Sequence, residues 1–270
     1  MYQNIIKVSE KNTENIAILI QSILKKQVDL TASISANTNI HELLTNKHLK
    51  SEQVFLGIKR NILNNDAYMA SQYPFTYIIS DAEGNMFTNF SYSPYQQCKL
   101  IYSSLAKETW FIDLSSSYFP YSCIIRRNNL LITKGSDQLY FAQNIIDDGI
   151  NIGVVITGID AFYIEDLMSF NQIDSFLLSL TNELLANGSK NTNITYKSDI
   201  LEILKSDVDS LRRTIVINNK KFLASKHILK LSYGNSANLF TIERKQKLLS
   251  EITKINIFSI LMVLLNISGL

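Results

Sequence analysis

The residues able to do chemistry are few and scattered. The three histidines, His41, His48 and His227, stand far apart and show no metal-ligand spacing. Each is expected at the surface. Asp147-Asp148 could form a paired-carboxylate site for proton transfer. Asp-Asp-Gly between two apolar runs is first of all a turn, however. Arg126-Arg127 could hold an anion. Successive side chains of a strand point to opposite faces, so at most one of the two enters any one pocket. Cys98 and Cys123 lie outside any CxxC pair and are read as two buried thiols. A disulfide between them is the alternative if the chain is exported. The chain contains no GxSxG, P-loop, HExxH or Gly-rich dinucleotide loop. No enzyme activity, metal or cofactor is therefore expected. The single tryptophan lies in Lys107-Glu108-Thr109-Trp110-Phe111. Trp110 is either a core anchor or one wall of a ligand pocket, and one residue can be both.

The elements that must position these residues follow from hydrophobic period. At 270 residues with 46% hydrophobic content, the chain can bury a sizeable core. Its net charge of +2 implies no nucleic-acid partner. Residues 1–36 carry apolar side chains at spacings of three and four, including Ile16, Ile20, Ile23, Leu24, Val28 and Ile34, with no Gly or Pro between. This pattern predicts one long helix with a one-sided stripe. The stripe serves either the protein's own sheet or a homodimer. A short helix capped by Asn39 should follow through Leu44, then a helix starting at Ser51 as N-cap. Two apolar runs, 77–80 and 86–90, flank Asp81–Asn85 and predict a hairpin. A helix over 95–111 comes next. Strands are expected at 122–127, 129–134, 138–146 and 151–159, and a helix over 160–170. A smaller β-rich block opens near Ile173, with a helix at 196–208, a hairpin on Asn218-Asn219 and a last strand at 237–243. Hairpins dominate, so the sheets should be antiparallel.

The chain ends on INIFSILMVLLNISGL, residues 255–270, without a single charge. Sixteen residues at 1.5 Å reach about 24 Å, short of the roughly 30 Å hydrocarbon core. The tail is expected to be the first part of a membrane helix, with a buried core helix as the alternative. Arg244, Lys245, Lys247 and Lys254 precede it, which by the positive-inside rule alone would lie in the cytoplasm.

The order of these pieces resembles the double Cache (dCache) sensor module, specifically that of YesM-type sensor histidine kinases. SEKNTENIAILIQSILKKQVDLTASISANTNIHELL resembles the family's membrane-emerging helix. YIISDAEGNMFTN is similar to the first hairpin of a PAS-like sheet, and ETWF to the W-[FY] after the helix. NIIDDGINIGVVITGID resembles the strand pair that closes the distal domain. SFLLSLTNELLANG and KKFLASKHIL resemble strands of a membrane-proximal domain, and LFTIERKQKLLSEI the return to the bilayer.

The resemblance implies an α+β fold with a stalk helix (1–36), a membrane-distal PAS-like Cache domain (37–172), a smaller proximal one (173–243) and a helix into the membrane (244–270). It implies a module outside the cell, residues 1–250, that binds a small molecule or a solute-binding protein. An upstream first helix would set that topology despite the basic residues before the tail. The expected output, a histidine kinase, lies outside these residues. A chemotaxis receptor or cyclic-dinucleotide enzyme is the alternative, and a ligand-free membrane-anchored structural protein another. On elements that line PAS-like pockets, the candidate ligand residues are Tyr77, Tyr102, Trp110, Arg126, Tyr140 and Asp147. The amino-acid-binding subset carries Arg two residues before the Trp. Glu108 stands there in this chain, so no amino-acid carboxylate clamp of that kind is expected.

Overall fold

The computed structural model describes residues 2–65, 75–89, 101–118, 124–128, 137–169, 173–189, 212–217 and 219–244. The apolar tail 255–270, the expected helix at 196–208, the strand at 129–134 and both cysteines lie outside the described residues.

Helix α1 spans Tyr2–Ser35, as its period predicts. Its stripe residues Ile16, Ile20, Ile23, Leu24, Val28 and Ile34 are buried. The chain's own sheets consume that stripe. The outward face shows Lys11, Asn15, Ser22 and Lys25, with Ile18 and Leu19 the exposed apolar residues among them. Packing on the chain's own sheets is therefore what the stripe does here. α2 (Thr38–Thr45) is capped by Asn37, whose side chain accepts from Ile40 N at 3.2 Å. The expected cap Asn39 instead donates its amide to Asn61 Oδ1 at 3.1 Å. α3 covers Ser51–Leu63, with Lys50 rather than Ser51 at the cap. Gln53 folds back to accept from Lys50 N at 2.9 Å.

Two five-stranded antiparallel sheets follow. The first contains β1 (Thr76–Asp81), β2 (Met86–Thr88), β3 (Ile124–Asn128), β4 (Gln138–Asp147) and β5 (Ile150–Asp160), in the order β2-β1-β5-β4-β3. The second contains β6 (Asp174–Ser179), β7 (Leu184–Asn187), β8 (Arg212–Ile217), β9 (Lys220–Lys230) and β10 (Ser236–Arg244), in the order β7-β6-β10-β9-β8. Both sheets place their last strand at the centre, so the same topology occurs twice. Asp147-Asp148-Gly149 is the β4–β5 turn, with positive φ at Asp148 (48°) and Gly149 (77°). Such a two-residue turn matches the twist of the strands it joins.

The expected single helix over 95–111 breaks instead. Residues 101–105 are helical, Glu108 caps a new helix, and α4 runs Thr109–Ser116. Trp110 and Phe111 thus sit in the first turn of α4 and do not trail a helix. α5 (Ala161–Ser169) starts where Asp160 Oδ1 accepts from Phe162 N at 2.8 Å.

One apolar cluster joins α1, α5 and both sheets. Ile16, Ile20 and Leu24 of α1 pack with Phe141 and Ile159 of the first sheet, Ile164 and Met168 of α5, and Leu177, Leu229 and Leu239 of the second sheet. α1 is therefore a spine shared by both sheets.

Beside that spine lies His227 of β9, half-buried, with a buried Nε2 that has no hydrogen-bond partner among the described residues. Burial pushes its pKa below the ordinary 6.5, while the Glu14 carboxylate pulls the other way. As pH falls, the unfolded chain takes up this proton first. The contribution of His227 to stability is thus complete above pH 6.5 and is lost below it. Urea midpoints should drop below that pH more steeply for the wild type than for His227→Gln. Equal slopes would contradict this.

The two sheets also meet at an ionic joint. Arg127 of β3 donates from Nη1 to Glu165 Oε1 of α5 at 2.6 Å and from Nε to Asp137 Oδ2 at 2.9 Å. The same Glu165 oxygen accepts from Asn187 N of β7 at 3.0 Å. Burial opposes the Arg127 charge, but hydrogen bonding and charge from Glu165, then Asp137, raise its pKa above the ordinary value. Arg126 pairs with Glu183, beside the β6–β7 turn, in a wetter setting with side chains 35% and 46% exposed. Arg127→Met should cost about 1–3 kcal/mol, because it strands Glu165 against the sheet. Arg126→Met should cost less than about 1 kcal/mol. Paired denaturation curves check the order.

Candidate ligand-binding face

Side chains alternate along β4 and sort the first sheet into two faces. Leu139, Phe141 and Ile145 point toward α1, α2 and α3. Tyr140, Ala142 and Asn144 point the other way. In register with them lie Gly158, Ile156 and Val154 of β5, and Thr76, Ile78 and Ser80 of β1 beyond. This second face is covered by Ile101, Leu105, Trp110, Phe111 and Leu114. Phe111 meets Trp110 edge-on at 5.8 Å between centroids and Tyr102 at 6.2 Å.

Two asparagines fasten α4 to the sheet. A helix leaves its last carbonyls without internal partners. Asn144 donates from Nδ2 to Ser117 O at 2.8 Å. Asn151 donates from Nδ2 to Leu114 O and Ser117 O at 3.1 and 3.2 Å. The cover over the face is thereby fixed to the two central strands.

On the reverse side the sheet is fastened to α1 by a buried ring of hydrogen bonds. Thr31 Oγ1 donates to Gln27 O at 2.8 Å. The Thr157 hydroxyl, 2.6 Å away, must then donate to Thr31 Oγ1, while accepting from Gln27 Nε2 at 2.8 Å. Four residues further along α1, Ser35 Oγ donates to Asn144 O at 2.7 Å. Asn144 therefore touches both layers: its side chain holds α4 and its carbonyl holds the end of α1.

Of the six candidate residues, Tyr102, Trp110 and Tyr140 come together on the α4 face. Arg126 is opposite Tyr140 in register, and its guanidinium is drawn out to Glu183. Tyr77 points to the α1–α3 side and packs with Ile79 and Phe87. Asp147 lies past the β4 bulge and pairs with His41 Nδ1 at 3.3 Å. The expectation of surface histidines needs correction for His227, half-buried with a buried Nε2, and for His41, whose side chain is only 11% exposed and whose Nε2 bonds Ser35 O at 2.7 Å. Asn144, Asn151 and the Gln27–Thr31–Thr157 ring were missed in the sequence. For Asn144 the available signal was the alternation that also carries Tyr140 and Ala142.

A separate open cleft of about 760 Å³ lies at the end of the first sheet, between the α2–α3 connection and the β1–β2 turn. Its floor is Leu43, Leu49, Val54, Phe87 and Ile152. Asp81 on its rim is occupied, accepting from Glu83 N, Asn85 N and Asn85 Nδ2 at 3.0, 2.8 and 2.7 Å. Among the described residues no group of metal-ligating side chains occurs, and no helix is long and apolar enough to cross a membrane.

No protein-family model matches the chain, and no curated protein matches it. Solved structures do. The ligand-binding domain of the Pseudomonas fluorescens chemoreceptor CtaA, in complex with L-isoleucine, superposes with a TM-score of 0.59 at 14% identity, over 93% of this chain and 96% of that one. Its complex with L-serine gives 0.61 at 14%, over 91% and 100%. The sensory domain of the Campylobacter jejuni chemoreceptor Tlp3 (CcmL) with isoleucine bound gives 0.59 at 15%, over 91% and 96%. At this identity the likeness is one of fold: the chain shares the α+β, antiparallel-sheet fold of these chemoreceptor sensory domains.

Proposed function

We propose that the chain is the extracytoplasmic ligand-sensing module of a bacterial transmembrane signalling receptor. The observation that carries this is the α4 face of the first sheet, where aromatic and polar side chains gather under a fastened helix. The same fold in chemoreceptor ligand-binding domains supports it. In this reading residues 37–172 form the ligand-binding Cache domain and residues 173–243 a membrane-proximal one. Tyr102, Trp110, Tyr140 and Arg126 face the ligand. Tyr77 and Asp147, on the other side of the sheet, serve packing and the His41 contact. The module takes a small molecule directly or meets a solute-binding protein, and residues 255–270 anchor it.

Binding that moves α4 reaches β4 through Asn144 and α1 through Ser35 and the Thr157 ring. Two packings of α1 against the sheets would then differ in ligand affinity, which is what a population shift requires. The output is either a histidine kinase or a chemotaxis signalling domain. The chemoreceptor neighbours support the chemotaxis output at least as well as the kinase. A thermal-shift screen with sugars, organic acids, amines and alcohols tests the reading. At least one compound should raise the melting temperature. No shift from any of them would favour sensing through a solute-binding protein or a ligand-free structural role.

A further inference from the structure

Asn144 is fully buried, and its Oδ1 has no hydrogen-bond partner among the described residues. The amide cannot simply be turned over. Its Nδ2 faces the carbonyl of Ser117 at 2.8 Å, and a flip would set oxygen against oxygen. The free acceptor is thus fixed in direction by the helix it holds. Leaving a buried acceptor unpaired costs about 1–3 kcal/mol, and such groups are rare enough to need a reason. Asn144 shares its face with Tyr140 and Ala142, and its register partner is Val154. Most of that face is apolar, with Ile78, Ile156, Trp110 and Leu114 packed on it, while Ser80 lies in register beyond Val154 and Asn151 shares the Ser117 carbonyl.

We infer that Asn144 Oδ1 is the acceptor for a hydrogen-bond donor on the ligand, and that the ligand is an apolar body bearing an amine or hydroxyl. The inference rests on the sensor reading and deepens it. Because the Asn144 carbonyl also holds Ser35 of α1, the same residue would report occupancy to the spine.

Three matched compounds test it: 2-phenylethylamine, 2-phenylethanol and phenylacetate. The first two carry a donor on the same apolar body; the third, ionised, carries none. The amine and alcohol should bind the wild-type protein, and phenylacetate should not. Asn144→Asp keeps the Oδ1 acceptor and gives up the Nδ2 donor to Ser117 O, and its buried carboxylate becomes charged when an ammonium group binds beside it. It should tighten the amine about tenfold relative to the alcohol, as a charge-assisted bond would. A purely structural asparagine would weaken both equally, and that result overturns the inference. Should Asn144→Asp not fold, the wild type still decides. Its Asn144 side-chain carbonyl carbon resonance should move on adding the amine, and an unmoved resonance with bound amine overturns the inference. If phenylacetate or another donor-free compound binds instead, the inference falls and the sensor reading stands. If no compound of any class binds, the inference falls and so does direct small-molecule sensing.

Discussion

Thr157→Val should destabilise the protein by about 2–3 kcal/mol in urea denaturation, whereas Thr157→Ser should cost about 1 kcal/mol or less. Valine has nearly the shape of threonine, so the difference isolates the hydroxyl. Thr157 is fully buried and closes the ring with Gln27 and Thr31. Valine removes the acceptor that the Gln27 amide, itself only 6% exposed, uses, and the donor that Thr31 Oγ1 receives. Serine retains both bonds and loses one methyl. Directional bonds of this kind also fix axial register. Apolar packing tolerates a slide along a helix, but the spacing of Gln27, Thr31 and Ser35 allows one seating on β4 and β5. Amide exchange over residues 27–35 should therefore accelerate in Thr157→Val more than in Thr157→Ser. Equal behaviour of the two variants would remove the ring from the account.

Leu24→Ala should cost about 3–5 kcal/mol, and unfolding should remain one transition. Leu24 is fully buried in the cluster where α1, α5 and both sheets meet. The cavity left there has walls from every layer, so no single element can close over it. Leu19→Ala, five residues earlier on the outward face and 41% exposed, should change stability by less than about 0.5 kcal/mol. If Leu24→Ala split the unfolding curve in two, the sheets would be separate cooperative units and α1 would not be their shared spine.

Much of this architecture was legible in residue order. The stripe from Ile16 to Ile34 marked α1 within a residue at each end, because nothing interrupts its period. Asp147-Asp148-Gly149 marked a turn because its backbone needs positive φ. Other features were not legible, for physical reasons. The break before α4 has no Gly or Pro, and the apolar spacing of Leu100, Ile101 and Leu105 continues smoothly toward Trp110. The cap at Asn37 rather than Asn39 is a choice between two equally good capping side chains two residues apart. The candidate face was half legible. Aromatic type picked out Tyr102, Trp110 and Tyr140, but type alone could not tell the Tyr77 face from the Tyr140 face. Strand alternation makes a shift of one residue a change of side. Asn144 escaped notice because an asparagine in a strand looks like a weak strand former. Its meaning comes from Ser117, 27 positions away in sequence.

The central claim is that a small molecule is sensed on the α4 face of the first sheet. Hydrogen–deuterium exchange of the protein with and without the best-binding compound tests it most directly. Protection is expected in α4 (109–116), in β4 and β5 (138–160), and at the end of α1 near Ser35. Protection confined to the α2–α3 cleft, or none outside the second sheet, would contradict it.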